Sequence, residues 1–227
     1  MSFAPRTLAE LTQTDDPAWP LVQQWVAEAK NPIEVLPPAA NAADELLATQ
    51  VTLRSPMGAI VYHTGGLLID GGWIRFLGCG HPRLPRSLMG WNRGRTFQQP
   101  GDPMGFLLVA DDAIGGFFAL NGGTLGPDVK NIYYFAPDTL RWESTEKGYS
   151  DFLRFCLGGD LDHYYGEQRW PGWRDEVARI VGDQVIALYP PLWSAEGKDP
   201  AKSHRAPVPV AETYDLHVNH LPRQLGP

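Results

Sequence analysis

Disulfides are not available to this chain as a framework. Its 227 residues hold two cysteines, Cys79 and Cys156, far apart and in no Cys-x-x-Cys pair. Neither a stapled secreted scaffold nor a cysteine zinc or redox centre is therefore expected. A basic surplus is missing too: 26 acidic residues against 19 lysines and arginines leave a net charge of −7. A nucleic-acid binder normally carries the opposite balance, because it must displace counterions from phosphates, so no nucleic-acid partner is expected. No apolar run approaches the ~20 residues of a membrane-spanning helix, and Met1–Arg6 carries no apolar signal core. The expectation is a cytoplasmic protein without membrane partners.

Nucleotide and hydrolase signatures are also lacking. There is no Gly-x-x-x-x-Gly-Lys-Ser/Thr, no Gly-x-Gly-x-x-Gly bridging a strand and a helix, and no Gly-x-Ser-x-Gly elbow. No cofactor is expected, and no repeat of twenty to fifty residues is visible.

What is present is a chain rich in apolar and aromatic residues (43% and 11%, with eight Trp) and long enough to bury roughly three-quarters of its unfolded surface without disulfides or metals. Thr7 and Glu10 have capping-box spacing, predicting a short helical turn. Asp16 with Pro17 marks the start of a helix whose Ala18, Leu21, Val22, Trp25, Val26 and Ala29 form one apolar face. Pro32, Pro37 and Pro38 force an extended connector, and Asn41 caps a helix through Leu46 and Leu47. From about Val51 the texture predicts strands at 57–63, 67–70, 73–77, 106–110, 116–120, 132–135 and 140–143, with paired glycines and an Asp111-Asp112 turn joining several of them. Ser150 caps a helix through Leu157, and 173–181 reads as a helix before a strand at 185–189. Helices, then hairpins, then helices is an α+β order, with a mostly antiparallel central sheet. Residues 1–193 are expected to form one domain, and the Pro-rich residues 194–227 an extended C-terminal arm.

The leading functional candidate is the segment 78–101. His81, Arg83, Arg86, Trp91, Arg93 and Arg95 lie here with no acid before Asp102, a positive island in an acidic protein. Arginine forks grip carboxylate or phosphate, and flanking glycines let backbone N–H groups approach an anion. The plain alternative is that these arginines pair with acids of the same chain and hold the loop in order. Cys79 beside His81 invites a nucleophile–base reading, which needs a hydrogen bond between them. Asp160, Asp162, His163 and Glu167 form an acidic–histidine cluster, without EF-hand spacing. His217-x-x-His220 offers two metal ligands, which is an incomplete site. Trp91, Tyr164 and Trp170 are candidate walls of a ligand cleft.

The segments Arg54–Gly58, Gly71–Trp73, Gly78–Arg86, Gly115–Gly123, Tyr133–Glu143 and Gly148–Leu153 resemble a bacterial family known as a domain of unknown function. More loosely, Trp142-Glu143 followed by Ser150-Asp151-Phe152-Leu153 is similar to the SUKH superfamily of immunity-like proteins, which implies an α+β binding protein. The long Gly78–Gly101 insertion departs from that pattern. The combined expectation is a binding protein that recognises a protein partner or a small anionic ligand through the arginine loop. A homo-oligomeric interaction protein, and after it an enzyme acting on an acidic substrate, are the alternatives.

Overall fold

The computed structural model describes residues 4–99 and 101–221; Met1–Phe3, Pro100 and the last six residues of the C-terminal segment lie outside them. Seven strands form one antiparallel sheet: β1 (Ile33–Leu36), β2 (Gly66–Ile69), β3 (Ile74–Leu77), β4 (Phe106–Asp112), β5 (Phe117–Asn121), β6 (Asn131–Ala136) and β7 (Arg141–Gly148). Their spatial order is their order in the chain, so each strand pairs with its sequence neighbour. The extended connector expected after Pro32 is the edge strand β1, with Val35 opposite Leu67.

Neighbouring residues in a strand point to opposite faces, and both faces here are buried. Phe118 packs on Phe152 of the helix α6 (Tyr149–Gly158), 4.7 Å between ring centroids. Phe117 packs on Tyr214 of a C-terminal helix at 5.1 Å. The first face is covered by α2 (Trp19–Ala27), α4 (Pro56–His63) and α6, all in mutual contact. α1 (Leu8–Thr12) and α3 (Ala42–Thr49) flank them around a small second cluster of Leu11, Leu46 and Leu53. The second face meets a two-stranded sheet of β8 (Gln184–Tyr189) and β9 (His204–Pro209), followed by α9 (Val210–Tyr214).

Several local expectations change on contact with the structure. Residues 57–63 form the helix α4, not a strand. Ser55 accepts a hydrogen bond from the Met57 N–H at 3.2 Å and Pro56 occupies the first turn, a start signal that outweighs β-branched composition in a short apolar run. Asp111 and Asp112 are not a turn: they end β4, fully buried, and the chain reverses over the four residues after them. Helix α2 starts at Trp19 with Pro20 in its first turn, and α6 starts at Tyr149 from Gly148. The Thr7–Glu10 capping box is formed in both directions.

The segment read as a C-terminal arm contributes structure over its described part. β9 pairs with β8 along six residues, Val210 and Tyr214 join the main core, and residues 215–220 form a π-helical turn. Val210 N–H donates to Asp183 C=O at 2.8 Å, locking α9 onto the start of β8.

Candidate functional site

The loop 78–101 is tied down from within. Its middle is the helix α5 (Leu88–Asn92), capped by Ser87, which accepts from the Gly90 N–H at 3.2 Å. Asn92 is fully buried and acts as a plug: its amide donates to Leu88 C=O and Leu108 C=O, both at 2.8 Å, and its carbonyl accepts from Leu108 N–H at 2.8 Å. Glu45 of α3 accepts from the Met89 N–H, and burial pushes its carboxyl up.

The arginines of the loop part company. Arg86 is buried; it donates to Asp111 Oδ2 at 2.5 Å and to Gly182 C=O at 2.7 Å. Arg95 lies over the Trp91 ring at 3.7 Å and reaches Trp91 C=O at 2.9 Å. Arg83 is exposed and pairs with Glu34 of β1, while Arg93 is exposed with no ion pair among the described residues. Trp91 is buried, packed against Arg86, Arg95 and Tyr214. His81 Nδ1 accepts from the Arg83 N–H at 3.1 Å. These six residues therefore do not converge, and Arg83 of the six borders two hollows among the described residues.

Cys79 and His81 do not form a nucleophile–base pair. The thiol is buried, accepts from Ala39 N–H at 3.1 Å and donates to Thr64 C=O at 3.2 Å. Burial raises its pKa, the wrong direction for a thiolate. Asp160 caps the short helix α7 (Leu161–Tyr164) through His163 N–H at 2.8 Å, and Asp162 pairs with Arg169 at 2.5 Å. No three His, Cys, Asp or Glu side chains come together as a metal-ligand group among the described residues.

Between the second sheet and α9 the structure holds a cavity of ≈ 400 Å3 that was not foreseen. That size falls within the range of small-molecule sites. β8 gives it Val185 and Ala187, the following turn gives Leu192 and Trp193, and Ile114 closes one side. Glu212, Thr213 and His217 of the C-terminal segment face that wall, and Tyr189 brings a hydroxyl to the rim. Glu212 is exposed and has no ion pair among the described residues. The His217 ring packs edge-on against Trp193 at 5.1 Å, its Nδ1 buried beside Gly115 without a well-formed hydrogen bond among the described residues. Burial lowers its pKa to about 4, so the imidazole is neutral near pH 7. His217 stands on the π-helical turn, a rare backbone form that recurs at functional sites. His220, its sequence partner, is exposed and does not line the cavity.

Sequence reasoning missed this cavity because it reads residues 194–227 as an extended arm, whereas Val208, Glu212, Thr213, Leu216 and His217 fold back over β8 to wall it. A retrospective signal was present: Val185–Leu188 is a continuous apolar run, the pattern of a strand covered on both faces.

Comparison with known proteins gives a consistent picture. A bacterial protein from Escherichia coli (strain K12), YbfG, is 48% identical over 189 residues, spanning 83% of this chain and 86% of that protein. An uncharacterized protein from Haemophilus influenzae is 43% identical over 188 residues, 82% of either chain. No solved structure matches the chain. No helix among the described residues is long and apolar enough to cross a membrane. Residues 8–213 match the family described as "Protein of unknown function DUF2625", which takes in both sheets and α9, and the chain belongs to that family.

Proposed function

We propose that this is a binding protein whose ligand occupies the cavity between β8–β9 and α9. The carrying observation is the makeup of its lining: a largely apolar wall from β8 and the turn after it faces Glu212, Thr213 and His217 of the C-terminal segment. A ligand matching that division has an apolar body and one polar head. No lysine or arginine lines the cavity and His217 is neutral, whereas Glu212 is a carboxylate without an ion pair among the described residues. A head group that is uncharged or cationic fits; a carboxylate head would enter without a counter-charge, at high desolvation cost. The anionic ligand expected from the arginine loop does not suit this cavity.

The test is titration calorimetry with octanol, octylamine and octanoate, on the wild type and on Ala187→Trp, which fills the space from β8. The alcohol or amine should bind and the acid should bind at least about tenfold more weakly, a difference of ~1.4 kcal/mol. All binding should vanish in the filled variant. Equal binding to the variant, or preference for the acid, sinks the reading.

A second reading has support from a different observation. Tyr189 and Leu216 on the cavity rim are 75% and 46% exposed, which suits a protein partner of the kind the SUKH resemblance implies, or a second copy of the chain. Light scattering on the wild type and on Tyr189→Ser/Leu216→Ser tests the self-association arm: a mass that halves in the variant would favour the homo-oligomer over the small ligand.

A further inference from the structure

A second hollow lies across the molecule from the sheet's α6 side, at the turn joining β2 to β3. Its walls are Leu68, Gly71, Gly72 and the segment 177–182, and it encloses ≈ 220 Å3. Three arginines line it, Arg75, Arg83 and Arg179, and no acidic residue does. In a protein of net charge −7 that is a local reversal of sign.

The arginines arrive from three separate parts of the chain and are held by different means. Arg75 of β3 is buried, with its guanidinium fixed by Asp111 at 2.5 Å and by the Asp112 and Gln184 carbonyls at 2.9 and 2.5 Å. Arg83 is fixed at its backbone: its C=O accepts from Gly182 N–H at 3.1 Å. That approach needs glycine, since a Cβ on residue 182 would sit 2.3 Å from the Arg83 carbonyl oxygen. The Arg83 side chain pairs with Glu34, which borders an adjoining hollow of ≈ 300 Å3 and not this one. Arg179 is exposed and has no ion pair among the described residues. Gly71 takes φ +68° with open space where a Cβ would stand, so the floor of the hollow is bare backbone.

We propose that this hollow is a binding site for an oxyanion group, phosphate or carboxylate, gripped by the Arg83 and Arg179 forks with the buried Arg75 charge behind them. Guanidinium forks suit such planar or tetrahedral oxygen sets, and Arg75, alone of the three, is already buried and held in place. The hollow is distinct from the apolar cavity, with which it shares no lining residue.

The experiment is an NMR titration of the full chain with sodium phosphate and, separately, sodium succinate at constant ionic strength, with sodium chloride as the blank. The wild type should saturate with one or both, with the Gly71 and Gly72 amides shifting most. Phosphate alone, or succinate alone, identifies which oxyanion the site takes. Arg83→Ala and Arg179→Ala should each weaken binding about tenfold, as expected for loss of one charge-assisted contact of ~1.5 kcal/mol. Both positions are exposed, so the variants should fold, which matched amide spectra away from the hollow will verify. No saturable binding of either anion, equal response to chloride, or unchanged affinity in the double variant would overturn the proposal.

Discussion

Asp111 and Asp112 are adjacent in β4, both fully buried, and they serve opposite faces of the sheet. Asp111 is the shared counter-ion of Arg75 and Arg86 on the β8 side. Asp112 points the other way, accepting from Tyr134 Oη at 2.7 Å and Tyr165 Oη at 3.4 Å, and from Gly116 and Ile114 N–H groups at 2.7 and 3.1 Å. Burial raises the pKa of Asp112, opposed by those donors. The pair thus joins the arginine loop to the sheet on one side and α7 to it on the other.

Removing the shared counter-ion should be costly. Asp111→Ala leaves two guanidinium groups buried without their carboxylate, and breaking a buried pair in this way costs roughly 3–5 kcal/mol. Urea unfolding should show a large fall in midpoint with little change in slope. A loss under about 1 kcal/mol would mean that water reaches this cluster freely.

The loop arginines should divide sharply in their effect on stability. Arg86→Ala strands Asp111 Oδ2 and the Gly182 carbonyl and should cost about 3 kcal/mol. Arg83→Ala removes only a half-exposed surface pair, worth at most about 1 kcal/mol. Comparable losses for the two, measured by chemical denaturation, would contradict the burial difference described above.

Asn92 supports α5 and β4 together. Asn92→Ala leaves two buried carbonyls and one buried N–H without their partner, each worth about 1–3 kcal/mol when orphaned, less whatever water recovers. Hydrogen exchange should rise first across residues 88–97, before the rest of the sheet. Uniform acceleration over the whole chain would instead indicate that the loop has no separate opening.

Acid should destabilise the C-terminal layer through His217. Its pKa falls from 6.5 unfolded to about 4 folded, so the folded state favours the neutral ring. That contribution is present above pH 6.5 and disappears as pH drops towards 4, with an upper bound of about 3 kcal/mol. His217→Phe should flatten the stability profile over that window; a profile as steep as that of the wild type would assign the acid sensitivity elsewhere.

The sequence exposed those features that depend on local spacing. The Thr7–Glu10 box, the strands around Leu67, Phe106, Ile132 and Val185, and the α+β order are all readable from period and turn chemistry. Helix α4 was not, because Met57–Val61 is apolar on every side: packed between helices and sheet, it has no polar face to betray a period of 3.6. The two aspartates misled for a related reason. Acidic pairs usually mark solvent, and it is the distant Arg75, Arg86, Tyr134 and Tyr165, with the local Ile114 and Gly116 N–H groups, that make these two tolerable inside. Of the six loop residues, Arg83 borders a hollow among the described residues, and its companion Arg179 lies nearly a hundred residues away, beyond any local pattern.

The chain-ordered sheet also implies a sequence of assembly. Neighbouring strands from β1 to β7 pair in chain order, as hairpins or across the helical connections after β1 and β3, so loop-closure cost stays modest. The second layer enjoys no such economy. Ile186 N–H must find Ala113 C=O at 2.7 Å, and β9 must then add outside β8. The apolar cavity is walled almost wholly by that second layer, with Ile114 and Pro137 from the turns of the meander closing it, so it is complete only when the two meet. Whatever binds there will act on the docking of residues 184–221 and leave the meander beneath almost untouched.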